Sequence, residues 1–291
     1  MKYRQPTKAI ITDAGFASRF LPITKTVPKA MLPLGNRPIM QLVVEECAEA
    51  GIEEVIIVAT REGKAIYEDY FNNSSNRIRK LLRSQGKSDR YKPVQEVLDL
   101  PKITVIEQDP SYPYGNGSPV ASARDFICDD EAFIVMYSDD VVFGSSDVKT
   151  LIDSYKKHTD ASAIIIAQEM PREVLSRYGI IKLANEEAMT LLNIVEKPRI
   201  EDAPSNLTSY GRYLLTPDVF QYLNPRETGL DGELWTVDAI TKLAVDNAVY
   251  VERTKGTWMT TGDPKNYFLA QLQYVLDYED YAGDVRELLN K

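Results

Sequence analysis

The chain has 291 residues, 44% of them apolar, and a net charge of −9 from 34 basic and 43 acidic side chains. That composition can fill a globular core but offers no basic run to track a nucleic-acid backbone. No apolar stretch approaches the ~20 residues of a membrane span, and Met1 to Thr7 is too short and polar for a secretory leader, so a cytoplasmic protein is expected. Two cysteines, Cys47 and Cys128, and one histidine, His158, exclude a zinc cage and speak against a disulfide scaffold or a nucleophilic triad.

Ala9 to Thr12 is an apolar run of buried-strand length that breaks at Asp13-Ala14-Gly15 into a long loop. The loop carries Arg19, Lys25 and Lys29, while Pro22, Pro28 and Pro33 restrict its backbone. A strand feeding a stiff cationic loop suits a polyphosphate, and Arg19 and Lys29 are expected to act on the ligand rather than on the fold.

Arg37 to Gly51 places Ile39, Leu42, Val43, Cys47 and Ala48 at helical spacing and stops at a glycine. Glu54 to Thr60 reads as a buried strand, which completes a βαβ unit and predicts a parallel sheet. Helix is predicted over Lys64 to Phe71 and, with a charged solvated face, over Ile78 to Leu100. Ile103 to Glu107 is the third strand, leading through Gln108 into a loop with Pro110, Pro113, Gly115 and Gly117. A helix over Ser118 to Phe126 precedes the fourth strand, Phe133 to Tyr137, which ends in Ser138-Asp139-Asp140.

Ligands of open α/β sheets bind at the carboxyl ends of strands, where the opening loop, the Gln108 loop and the aspartate pair should meet. The remaining pattern is a helix over Val148 to His158, a strand over Ser162 to Ala167, and a strand pair, Tyr178 to Leu183 and Leu191 to Val195, followed by Glu196-Lys197-Pro198. Further strands are Thr208 to Leu215 and Val249 to Arg253. Helices are expected from Pro217, over Glu233 to Val245, and over Pro264 to Leu276. With no repeat or linker, residues 1–262 read as one catalytic domain and 263–291 as a C-terminal helical appendage suited to oligomerisation.

Two phosphate motifs fail. A G-x-G-x-x-G fingerprint is broken by Ala17, and Gly86-Lys87-Ser88 lacks the upstream glycine, Leu81 standing there with no strand before it.

The stretch Lys8 to Pro33 resembles the signature A-G-x-G-T-R-x-x-P-x-T-x-x-x-P-K-x-M-L-P of sugar-1-phosphate nucleotidyltransferases, in particular the bacterial UDP-glucose pyrophosphorylase branch. Ala14, Gly15, Arg19, Leu21, Pro22, Thr24, Pro28, Lys29, Met31, Leu32 and Pro33 fit it, whereas Ala17 and Ser18 replace its second glycine and its threonine. The resemblance extends through Gln108 and Gly115, Tyr178-Gly179, Glu196-Lys197-Pro198, EDAPSNLTSYGRYLLTP and DGELWTVDAI, to about Tyr274.

The resemblance implies a Rossmann-like three-layer α/β/α fold around a central mixed, mostly parallel sheet. The implied reaction is conversion of UTP and glucose 1-phosphate to UDP-glucose and pyrophosphate, with Mg²⁺ as cofactor, in a homo-oligomer, dimer or tetramer. Such transfer asks side chains chiefly for positioning and charge, because the attacking phosphate oxygen is already ionised.

Arg19, Lys29 and Asp139 are then the catalytic set, with Asp139 the metal ligand and Asp140 its neighbour. Ala14, Gly15, Gln108 and Gly115 hold the nucleotide, and Gly179, Glu196 and Lys197 hold the sugar phosphate. Gln108 can pair with a uracil carbonyl and ring N–H, and Gly115 lets backbone approach the base. Departures are Ser138 for glycine, Ser118-Pro119 for His-Ala, and Thr260 for the aspartate that completes the family's metal site. They leave open a weakly active or non-catalytic UDP-sugar-binding paralogue, or an enzyme for another sugar 1-phosphate or dTTP.

Overall fold

Runs such as AIIT, VIIVA and FIVMY combine β-branched or aromatic side chains with apolar residues at successive positions, so both faces of each strand must be covered. The protein, described here by a computed structural model over residues 2–290, covers them. Its strands are β1 (Lys8–Asp13), β2 (Pro33–Leu34), β3 (Arg37–Pro38), β4 (Glu54–Ala59), β5 (Lys102–Glu107), β6 (Phe133–Tyr137), β7 (Asp140–Phe143), β8 (Ala161–Glu169), β9 (Gly179–Asn185), β10 (Thr190–Glu196), β11 (Leu207–Leu215), β12 (Ala248–Arg253) and β13 (Thr257–Thr260). Nine of them form one sheet in the order β5-β4-β1-β6-β11-β8-β12-β10-β9. Only β10 and β11 run against the rest, so the expected mixed, mostly parallel sheet is present.

Alternation along β1 divides the core. Ala9 and Ile11 face one apolar cluster, and Ile10 faces the other. The first cluster is covered by helices α1 (Ile39–Glu49), α2 (Arg61–Asn72) and α4 (Lys92–Leu98), between the last two of which the short α3 (Asn76–Ser84) buries no side chain, and, beyond α5 (Gly117–Ser122), by α6 (Asp147–Lys157). The second is covered by α5 and by α7 (Thr236–Leu243). The result is the three-layer α/β/α arrangement.

Several predicted boundaries change for identifiable reasons. The helix expected over 37–51 starts at Ile39, because Arg37 and Pro38 pair as β3 with β2. The helix expected over 78–100 is cut into α3, a 3₁₀ turn Ser88–Tyr91 and α4. Gly86 at φ +69 ends the first piece and Pro93 sits in the first turn of the last. The helix expected from Ser118 to Phe126 finishes at Ser122 and continues as a 3₁₀ turn, Arg124–Phe126. The helix expected from Glu233 begins only at Thr236, because Leu234 is used elsewhere.

The sequence reading left β7 and β13 unassigned. They pair antiparallel, Asp140 opposite Thr260, and so bring the end of β6 beside the turn after β13. The chain closes with α8 (Pro264–Tyr278) and α9 (Ala282–Leu289). Ala270 and Tyr274 of α8 are buried, and the Tyr274 hydroxyl accepts from Arg37 Nε (3.0 Å) and Nη2 (2.6 Å). Among the described residues no helix is long and apolar enough to cross a membrane.

Candidate active site

A cleft of about 430 Å³ opens at the carboxyl ends of β1, β5 and β6. Of the residues singled out from sequence, Ala14, Gly15, Arg19, Lys29, Gln108, Gly115 and Asp139 line it; Gly179, Glu196 and Lys197 do not.

The opening loop is built from three 3₁₀ turns, Ser18–Phe20, Ile23–Lys25 and Lys29–Met31. Ala17, where the family signature has glycine, takes the left-handed conformation at φ 45°, ψ 42°. That region is disfavoured for an alanine by about 1–2 kcal/mol. The conformation is held by Phe20 N and Thr24 Oγ1, both donating to the Ala17 carbonyl (3.0 and 2.9 Å), and by burial of Phe20 edge-on against Tyr267. Arg19 remains exposed, with Nη1 reaching the Gly262 carbonyl at 3.4 Å.

At the floor, the Lys29 ammonium pairs with the Asp139 carboxylate. Burial opposes charge on Lys29, but the attraction of Asp139 outweighs it and holds the ammonium above the ordinary lysine pKa. Burial likewise opposes charge on Asp139, yet Lys29 keeps it below the ordinary carboxylate range. Asp140 goes the other way, pushed up by burial and by the neighbouring Asp139 charge, while its Oδ1 accepts from Trp258 Nε1 at 2.8 Å.

Asp13 is a site residue that sequence reasoning passed over as a loop breaker. It lines the cleft, accepts from Ser138 Oγ at 2.6 Å and from the Tyr67 hydroxyl, and is pushed up to about 6 chiefly by burial. An acidic residue ending a buried apolar strand was the available signal.

The turn after β13 completes this corner. Thr261 donates twice to the Asp139 carbonyl, from N at 2.6 Å and from Oγ1 at 2.9 Å. A Cβ at Gly262 would lie 3.1 Å from Asp139 Oδ2 and 3.2 Å from Thr260 Oγ1, so those two oxygens flank one point. Thr260 therefore stands beside Asp139, as the motif alignment implied, with its hydroxyl accepting from Gly262 N at 3.1 Å.

Among the described residues no three His, Cys, Asp or Glu side chains gather as a metal cage. One carboxylate beside a neutral hydroxyl fits a hard cation held largely by ligand phosphates and water.

Gly115 makes a close backbone contact within the protein. At φ +130° it lets the Leu234 backbone come so close that a Cβ would meet the Leu234 carbonyl at 2.3 Å. Leu234 N donates to the Tyr114 carbonyl and Gly117 N to the Leu234 carbonyl, each at 2.8 Å. Gln108 is anchored by its backbone N–H, which donates to the Ala59 carbonyl at 3.0 Å, and is half-buried on the cleft wall.

Gly179, Glu196 and Lys197 form a second group beside this cleft. Gly179 pairs with Glu196 across β9 and β10, and a Cβ there would lie 2.9 Å from Glu196 Oε2. Burial raises the Glu196 pKa, only partly countered by Lys197. Lys197 has φ 45°, and its ammonium lies 4.5 Å from the ring centre of Trp235, which lines the cleft.

The Nucleotidyl transferase family model matches residues 8–275. The chain is 38% identical to a UTP–glucose-1-phosphate uridylyltransferase of Bacillus subtilis (strain 168), over 98% of this chain and 97% of that one. It is 36% identical to UTP–glucose-1-phosphate uridylyltransferase 2 of Staphylococcus saprophyticus, over 99% and 98% of the two chains.

Among solved structures, a UDP-glucose pyrophosphorylase complexed with UDP-glucose superposes with a TM-score of 0.79 at 32% identity, covering 92% of this chain and 98% of that one. A UTP-bound UGPase from Acinetobacter baumannii gives 0.86 at 28% identity, covering 98% and 99%. A cationic loop after the first strand, an aspartate ending a central strand, and likeness along nearly the whole length lead to one conclusion: the chain belongs to the nucleotidyl transferase family.

Proposed function

We propose that this chain transfers UMP from UTP to glucose 1-phosphate, releasing UDP-glucose and pyrophosphate. A phosphate oxygen of glucose 1-phosphate attacks the α-phosphorus of UTP, and the bond to the bridging oxygen of pyrophosphate breaks. The observation that carries this reading is the Lys29–Asp139 pair at the floor of a cleft walled by Arg19 and Gln108.

Ala14, Gly15 and Arg19 receive the triphosphate, and Gln108 reads the uracil edge. Lys29 is held charged and close to the transferring phosphoryl group, and Lys197, steadied near Glu196, receives the phosphate of the second substrate. Asp139, with substrate phosphates, would hold Mg²⁺, which when bound offsets the repulsion between the two anions. Residues 1–262 act as the catalytic unit and 263–291 as a helical appendage. The exposed Phe268, Leu269, Tyr278, Tyr281, Leu288 and Leu289 suit that appendage to a homo-oligomeric contact, in a dimer or tetramer. A cytoplasmic location suits the proposed substrates.

The test is pyrophosphate release across a matrix of nucleoside triphosphates and sugar 1-phosphates with Mg²⁺. UTP with glucose 1-phosphate is expected to be fastest, because cytosine reverses the donor–acceptor pattern at one edge and purines need more room. Release from no pair, or preference for a purine nucleotide, would sink the reading.

A further inference from the structure

Trp235 stands between the two groups of site residues. Its chain neighbours are stitched to the loop proposed to hold the base: Leu234 exchanges backbone bonds with Tyr114 and Gly117, and Thr236 N donates to Asn116 Oδ1 at 2.9 Å. The close approach of Gly115 to the Leu234 backbone leaves little freedom between the two segments. On the other side the indole lies under the Lys197 ammonium, 4.5 Å from the ring centre. Lys197 is 47% exposed, and its nearest carboxylate oxygen, Glu196 Oε1, is 3.7 Å away, beyond hydrogen-bonding distance. The aromatic face therefore contributes a restraint on an ammonium that would otherwise sample several rotamers.

We propose that Trp235 is a positioning residue that couples the nucleotide loop to Lys197. A base filling the loop fixes residues 114–117, and with them Leu234 and Thr236, which seats the indole under the lysine and raises its affinity for a sugar phosphate. The coupling is reciprocal, so sugar phosphate tightens binding at the base loop by the same factor. This inference rests on the uridylyltransferase reading.

The experiment is calorimetry of glucose 1-phosphate binding with and without saturating uridine, which fills the base loop without adding charge or permitting turnover. Wild type is expected to bind glucose 1-phosphate at least about fivefold tighter with uridine present, the lower end of the usual range of coupling between sites. Trp235→Leu should bring the ratio to one while leaving uridine affinity within about twofold, because the backbone bonds to the loop remain. Trp235→Phe, which keeps an aromatic face, should restore part of the ratio and guards against a folding defect in the leucine variant. The inference is overturned if wild type binds both ligands independently, or if Trp235→Leu retains the full ratio. Wild type that binds neither ligand would overturn the uridylyltransferase reading and this inference together.

Discussion

Lys29 and Asp139 neutralise one another at the floor of the cleft, their side chains 13% and 29% exposed. The lysine thus has a partner within the protein, which corrects the expectation that it serves the ligand alone. Lys29→Ala is expected to lower turnover at least tenfold, about 1.4 kcal/mol in barrier, and also to lower stability by on the order of 1–3 kcal/mol, since Asp139 loses its counter-charge. Steady-state kinetics with thermal melts at pH 7 checks both halves. Unchanged stability would mean that the pair contributes nothing to the fold.

Asp13 predicts a pH dependence. Its folded pKa of about 6 lies above the ordinary 3.8, so the native state holds the proton more tightly than the unfolded chain. Stability from this group is therefore fully present below about pH 4, falls as pH rises to about 6, and is flat above that. The displacement corresponds to on the order of 3 kcal/mol. Asp13→Asn, which can still bond to Ser138 and Tyr67, should lack this decline. Denaturant titrations of both proteins from pH 4 to 7 in EDTA decide it, and parallel curves would refute the assignment.

Thr260 and Asp139 make a paired prediction. Thr260→Asp places a second carboxylate beside Asp139 while still able to accept from Gly262 N, and should lower the Mg²⁺ concentration for half-maximal activity. Asp139→Asn should reduce turnover at least a hundredfold at any Mg²⁺ concentration. If the Mg²⁺ titration of Thr260→Asp overlays wild type, the two oxygens do not share a cation.

Gly115→Ala tests the backbone approach at the base loop. Its methyl group would meet the Leu234 carbonyl at 2.3 Å in a conformation that side chains rarely adopt. Loss of on the order of 1–3 kcal/mol in stability, together with weaker uridine binding, is expected. Weaker uridine binding at wild-type stability would instead favour direct contact of Gly115 with the base.

Sequence by itself determined the elements whose signal is local. Ile10, Ile56 and Val135 lie in apolar runs of strand length. The Gln108 loop and Asp139 follow such runs, and that order placed them at one edge of the sheet before any coordinates. The motif positions Arg19, Lys29, Gln108 and Asp139 were legible for the same reason, being fixed by spacing along the chain.

Only the tertiary structure decided which side chains confront one another. Lys29 and Asp139 are 110 residues apart, Asp13 and Ser138 125, and no periodicity reports such pairs. The four-residue strands β7 and β13 are too short to show a pattern, yet their pairing puts Thr260 beside the metal-ligand candidate. Trp235 was hidden most completely. Its place between the base loop and Lys197 comes chiefly from the backbone bonds of Leu234 to residues about 120 positions away, and such bonds leave little mark on residue type.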